Sequence, residues 1–201
     1  MTLIPNQGRW GYCLAGQETQ FIHHLDIAIA SASGLPFRYL EIGLGDAGTF
    51  RSIIAYLRIL QIPFEARAVD IPSHPIEIQQ SGGNWIVESH NVGSESFLVA
   101  AAAEGWQPNF TFIDACHGAP CVTRDFLGVE KIAADNAVVA FHDISPEAQG
   151  QHFQPHCQTG INARAAVEQL GLLRDLRPGW ETLAETAGTP TSFGCLYVHK
   201  I

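Results

Sequence analysis

The chain has 201 residues, of which 46% are hydrophobic and 15% charged. That combination predicts a single domain with a sizeable core and excludes wholesale disorder. A formal charge of −9 argues against a generic grip on phosphate backbones, so nucleic acid is not an expected partner.

Residues 1–16, with Pro5, Gly8, Gly11 and Gly16, read as an irregular lead-in without the apolar region of a secretory signal. Apolar positions Phe21, Ile22, Leu25, Ile27, Ile29 and Ala30 predict an amphipathic helix from Gln17 to Ser33, closed by Gly34 and Pro36. Residues 1–36 are therefore taken as lead-in and helix, and 37–201 as the main domain. On that helix His23 and His24 point in different directions, so a shared role is not expected.

The pattern then changes. Arg38-Tyr39-Leu40-Glu41-Ile42 reads as a buried strand that breaks at Gly43-Leu44-Gly45-Asp46-Ala47-Gly48, and a helix follows to about Gln61. Glycines let a chain turn sharply and leave no side chain between backbone and ligand, while a new helix presents free N–H groups. The turn thus reads as a nucleotide or nucleoside site at the carboxyl end of a strand, and its spacing also fits a dinucleotide-binding turn.

Phe64 to Val69 forms a second strand ending at Asp70-Ile71. An acidic residue there, past the glycines, is placed to accept hydrogen bonds from ribose hydroxyls. A short helical signal from Ile76 to Gln80 is broken by Ser81-Gly82-Gly83. Trp85 to His90 makes a third strand, followed by Gly93 and by Ser94 as the expected cap of a helix carrying Phe97, Leu98, Ala101 and Ala102. Phe110 to Ile113 is a fourth strand ending in Asp114-Ala115-Cys116-His117-Gly118. A helix from about Val122 to Ala134 leads to a fifth strand, Ala137 to Phe141, which ends in His142-Asp143. After a long polar segment, Ile144 to Thr159, come a helix (Ile161 to Leu170) and two strands near Glu181–Glu185 and Phe193–His199. The Gly188-Thr189-Pro190 turn between those strands predicts a hairpin.

Alternation of strand and helix predicts an α/β fold: a Rossmann-like, doubly wound sheet of about seven strands. It is expected to be mostly parallel, with an antiparallel last strand and helices on both faces. No apolar run is long enough to span a bilayer, so no membrane partner is expected. Cys13, Cys116, Cys121, Cys157 and Cys195 include no C-x-x-C pair and read as free thiols in a reducing cytoplasm. Trp10, Trp85, Trp106 and Trp180 lie in different segments and read as packing residues or pocket walls, not as a binding stripe.

Four stretches resemble the class I S-adenosylmethionine-dependent methyltransferases, and among them methyltransferase family 24. They are Glu41-Ile42-Gly43-Leu44-Gly45, Gly93-Ser94 with Phe97, Ile113-Asp114-Ala115-Cys116-His117 with Asp125, and Phe141-His142-Asp143-Ile144. The resemblance implies that Glu41, Gly43, Leu44 and Gly45 line the methionine and ribose side of S-adenosylmethionine. It further implies that Asp70 holds the ribose hydroxyls, that Gly93 and Ser94 border the adenine, and that Ile71 and Asp114 join the cofactor site. Around His117 the chain departs from the family, since Cys116 precedes it and Gly118-Ala119-Pro120 follow.

Adjacent parallel strands bring Asp114, His117, His142 and Asp143 to one rim, and two kinds of chemistry fit these catalytic candidates. His142 or Asp143 serves as general base while a methyl group transfers in line. Alternatively Asp114, His142 and Asp143 bind Mg²⁺ or another divalent ion, with His152 and His156 as further donors. The expected function is methyl transfer from S-adenosylmethionine to oxygen, or else nitrogen, of a small-molecule acceptor. An NAD(P)-dependent oxidoreductase and a non-catalytic methyltransferase-like module are the alternatives, and oligomeric state is not legible.

Overall fold

The computed structural model describes residues 17–32, 34, 36–71, 75–145, 163–187 and 194–201. Thus Cys13, Cys157, Trp10, His152, His156, most of the polar segment and the Gly188-Thr189-Pro190 turn lie outside the described residues.

Eight strands form one sheet: β1 (Phe37–Ile42), β2 (Phe64–Asp70), β3 (Gln79–Gly82), β4 (Trp85–Asn91), β5 (Phe110–Ile113), β6 (Val138–His142), β7 (Trp180–Glu185) and β8 (Cys195–Lys200). Their spatial order is β3-β4-β2-β1-β5-β6-β8-β7. The central strands β4, β2, β1, β5 and β6 are parallel, whereas β8 pairs antiparallel with both β6 and β7. The expected mixed sheet is therefore present, with one strand more than the sequence reading gave. That strand is β3, where a short helix was expected. Gln79–Gly82 instead runs antiparallel along β4 as an exposed edge, since the Ser81-Gly82 pair disfavours a helix and the edge of β4 offers unpaired backbone groups.

Period-two alternation divides the core. Tyr39, Ala66, Ala68, Phe110, Phe112, Val138, Ala140 and Tyr197 share one apolar cluster with α1 (Glu18–Ser31) and α2 (Gly48–Ile59). Leu40, Ile42, Val69, Ile113, Val139, Phe141 and Val198 share the other with α3 (Ser94–Glu104), α4 (Ala119–Ile132) and α5 (Ala163–Gln169). Both faces of the sheet are thus covered, which is why β5 and β6 read as almost unbroken apolar runs. Phe21 of α1 is fully buried between Phe110 and Phe112 at ring distances of 5.2 and 5.1 Å. Burial of one such ring contributes roughly 1.5–3 kcal/mol. His24 is also buried: its Nδ1 sits 2.8 Å from the Gln20 carbonyl, and its ring stacks on Tyr197 at 3.9 Å.

The α4 helix starts earlier than the sequence suggests, because Pro120 occupies a first-turn position where its missing N–H costs nothing. Trp85, Trp106 and Trp180 pack as expected. Arg58 lies over the ring of Trp85, while the indole N–H groups of Trp106 and Trp180 donate to Glu65 and Glu130.

Strand order reverses between β1 and β5, the neighbours whose connections leave in opposite directions. In open α/β sheets ligands bind at such a crevice, outside the carboxyl ends of the strands. The tips of β1 and β5 carry Glu41 with the glycine turn, and Asp114.

Candidate functional site at the strand tips

The glycine turn is built by its backbone. Gly43 takes φ +94° and Gly45 φ +51°, a region where a side chain would be strained. The two glycines do different jobs. A Cβ on Gly43 would meet the backbone of Asp114 and lie 2.5 Å from the Ala115 Cα, so this glycine lets β1 and the end of β5 close together. Gly45 and Gly93 face open space, where a ligand has room.

Asp70, at the end of β2, seals this turn. Its Oδ2 accepts the N–H groups of Leu44 (2.9 Å) and Gly45 (3.1 Å), and its Oδ1 accepts that of Ile71 (2.7 Å). The carboxylate expected to meet a ribose thus also fixes the glycine turn. Ile71 is exposed beside it.

Glu41 is almost wholly buried, and one of its oxygens accepts the Tyr39 hydroxyl. Burial pushes its carboxyl well above the ordinary range; the Tyr39 hydrogen bond opposes this, and the negative charges of Asp114, Asp46 and Asp70 add to it. This concentration of acidic groups suits a cationic ligand.

The third group comes from β5 and β6. His142 Nδ1 lies 3.1 Å from Asp114 Oδ1 and 3.0 Å from Asp143 Oδ1, and His117 Nε2 lies 3.1 Å from Asp143 Oδ2 and 3.6 Å from Asp114 Oδ1. Two imidazoles thus alternate with two carboxylates. His142 and Asp143 are buried, while His117 is about a quarter exposed and opens the cluster to solvent. Asp143 holds φ +58°, in the left-handed region that aspartate tolerates better than most residues. Burial alone would raise the Asp114 carboxyl, yet His142 and His117 hold it well below its ordinary range. Burial opposes charge on both imidazoles, but the carboxylates win and raise His142 strongly and His117 less so. The two carboxylates therefore favour the charged form of His142.

Donor chemistry tests the cluster against a divalent ion. One nitrogen of His117 and one oxygen each of Asp114 and Asp143 fall within 4.8 Å of one another. Buried Asp143 Oδ1 has no well-aligned hydrogen-bond donor among the described residues. This set fits a divalent cation, and it brings forward His117, which the sequence reading had as a catalytic candidate but not as a metal ligand.

Ser94 is the first residue of α3 instead of its cap. The cap position falls to Gly93, and the Ser94 hydroxyl donates to buried Asp125 at 2.5 Å. Sequence reasoning missed two features: Tyr39 as the donor to Glu41, and the Ser94–Asp125 link between α3 and α4. A tyrosine two residues before a glutamate on a buried strand was the available signal for the first, because both must share a face.

A separate hollow of about 880 Å³ runs between α3 and α4, lined by Leu98, Val99, Leu127 and Ile132 with Arg124 and Lys131. None of the predicted site residues lines it. The titratable groups described above converge at the strand tips instead.

No family model and no curated protein matches the sequence. Solved structures do. An O-methyltransferase from Bacillus cereus in complex with SAH aligns at a TM-score of 0.61 and 18% identity, covering 92% of this chain and 81% of that one. The chain shares the fold of that protein. TomG from Streptomyces achromogenes, an O-methyltransferase of tomaymycin synthesis solved with SAM, shares this methyltransferase fold at a TM-score of 0.58 and 20% identity, over 94% of this chain and 87% of its own. MycE, a methyltransferase of the mycinamycin pathway solved with Mg and SAH, aligns at 0.56 and 14% identity over 90% of this chain. The chain spans about half the length of MycE (49%).

Proposed function

We propose that this protein transfers a methyl group from S-adenosylmethionine to an oxygen of a small-molecule acceptor, at a site that holds a divalent cation. One observation carries the reading: the acidic tips of β1, β2, β5 and β6 meet at the strand-order reversal, next to a glycine turn with open space at Gly45. The methyltransferase fold and the order of the four motifs support it.

On this reading Glu41, Gly43, Leu44 and Gly45 hold the methionine end of the cofactor, Asp70 and Ile71 the ribose, and Gly93 and Ser94 the adenine side. The carboxylates suit the ammonium and hydroxyl groups of that ligand, and the surplus of negative charge suits its sulfonium. Asp114, His117 and Asp143 are the residues that would hold a divalent cation. Such an ion would supply Lewis acidity, lowering the pKa of an acceptor hydroxyl and stabilising its oxyanion. His142 pins Asp114 and Asp143 from inside the fold, so both carboxylates face the rim in fixed orientation. The remaining acceleration comes from holding donor and acceptor in line at contact distance. The thiols of Cys121 and Cys195 suit a reducing cytoplasm, and among the described residues no helix is long and apolar enough to cross a membrane.

A thermal-shift series with S-adenosylmethionine, S-adenosylhomocysteine and NAD tests this, each with and without Mg²⁺ or Mn²⁺. Ligand at a hundred times its Kd stabilises by about 2.7 kcal/mol. Stabilisation by the adenosyl ligands alone is expected. Stabilisation by NAD alone would instead indicate an oxidoreductase, and no response to any of them a non-catalytic module.

A further inference from the structure

Tyr39 and Glu41 stand two residues apart on β1 and so point to the same face of the sheet. The Tyr39 side chain is completely buried. Its ring stacks on Phe50 of α2 at 5.8 Å and 24°, and packs against Phe110 of β5 at 6.1 Å and 42°. A hydroxyl in such surroundings is costly unless it is hydrogen-bonded, and Glu41 is its partner. The bond occupies one oxygen of Glu41. No other hydrogen bond to this carboxyl is formed among the described residues, which leaves the second oxygen for a ligand.

Location gives that oxygen its role. Glu41 faces Phe112 of β5 on one side and Ala68 of β2 on the other, one residue before the strand ends and two before Gly43. A glutamate has three side-chain torsions and would ordinarily sample several orientations at a strand tip. Here an aromatic ring locked between α2 and β5 ties it down from below. Phe50 belongs to the first turn of the helix that the glycine turn opens, so the same packing registers the turn and the carboxylate together.

We propose that Tyr39 is a positioning residue for cofactor selection, fixing Glu41 so that its remaining oxygen receives the α-ammonium group of the amino-acid part of S-adenosylmethionine. The inference rests on the methyltransferase reading. It assigns to Tyr39 a task separable from its packing, because phenylalanine keeps the ring and removes only the donor.

The test compares two ligands that share adenosine and a thioether but differ in the amino-acid part: S-adenosylhomocysteine and 5′-methylthioadenosine. Binding of each is measured by calorimetry to the full-length wild type, Tyr39→Phe, Glu41→Gln and the double variant. Tyr39→Phe should weaken S-adenosylhomocysteine about tenfold, as expected for a lost hydrogen bond to a charged group, and leave methylthioadenosine within about twofold. Glu41→Gln should weaken the first ligand at least as much, and adding Tyr39→Phe to it should cause little further loss, since the two act in one unit. Equal weakening of both ligands by Tyr39→Phe would make the residue merely structural and overturn the proposal, as would unchanged affinity for S-adenosylhomocysteine. Additive losses in the double variant would overturn it too. Should Tyr39→Phe fail to fold, Glu41→Gln still decides: equal effects on the two ligands remove the ammonium contact on which the proposal stands. A wild type that binds neither ligand sinks the methyltransferase reading itself, a result distinct from a wild type that binds both while Tyr39→Phe discriminates between neither.

Discussion

Nε2 of His117 lies 3.1 Å from Oδ2 of Asp143, joining the loop after β5 to the residue that follows β6. The two residues follow different strands, so local sequence alone does not set this distance. It follows from the pairing of β5 with β6 and from the left-handed backbone at Asp143.

Removing either partner should therefore cost metal affinity. Titration with Mn²⁺ is expected to give a saturable heat for the wild type, weakened at least about tenfold in Asp143→Ala and in His117→Ala. An imidazole donor favours Mn²⁺ or Zn²⁺ over Mg²⁺, so His117→Asp should narrow the preference for Mn²⁺. Equal Mn²⁺ affinity in all four proteins would place the ion elsewhere.

Asp70 has two tasks, and one variant should separate them. Asp70→Asn keeps an oxygen for the N–H groups of Leu44 and Gly45 but loses the charge. Asp70→Ala leaves both donors without a protein acceptor, at a cost of about 1–3 kcal/mol where they are buried and less where water reaches them. In urea titrations Asp70→Ala should be the less stable of the two. Both should bind S-adenosylhomocysteine at least about tenfold more weakly; intact affinity in both would remove Asp70 from the ribose site.

The glycines of the turn should respond unequally. Gly43→Ala forces a Cβ against the backbone of Asp114 and Ala115, which can give way only if β1 and β5 separate. A loss of about 3 kcal/mol or more is expected in chemical denaturation, in the range of severe backbone and packing defects. Gly45→Ala meets no atom and carries only the strain of positive φ, a loss of about 1 kcal/mol. Comparable losses at the two positions would contradict the division of labour drawn between them.

How much was legible in the sequence follows from which interactions are local. Strand β1, the glycine turn and the identities at the strand tips could be read, because apolar runs and glycine breaks are written in consecutive residues. The Asp114, His117, His142 and Asp143 set was legible as a group, since parallel strands bring their ends together. What each member does was not. The placement of His117 among the converging donors depends on rotamers and on the angle at Asp143. Ser94 illustrates the same limit: a serine before an apolar run is a cap by local rules, yet a buried carboxylate 31 residues away recruits its hydroxyl. Strand β3 could not be read because its four residues are polar and exposed and its backbone is set by pairing to β4.

His24 provides a prediction on acid stability. Burial lowers its pKa below the ordinary 6.5, against the opposing effect of the Gln20 carbonyl. With a folded pKa below the unfolded one, the unfolded chain binds protons first. The contribution of His24 is thus complete above pH 6.5 and declines as the pH falls through the folded value. Urea titrations at pH 7.5 and 5 should show the wild type losing stability on acidification, and His24→Gln losing less of it. An identical loss in the two proteins would mean that His24 titrates normally.

Strand β3 has a last consequence. It is four residues long, polar and exposed, and it ends at Gly82, whose missing Cβ admits the Trp85 ring. By lying along β4 it replaces a seven-residue margin with a much shorter one. A brief hydrophilic border is a poor template for recruiting extended segments of other chains. Lengthening it with alternating valine and threonine is expected to increase aggregation, read by light scattering.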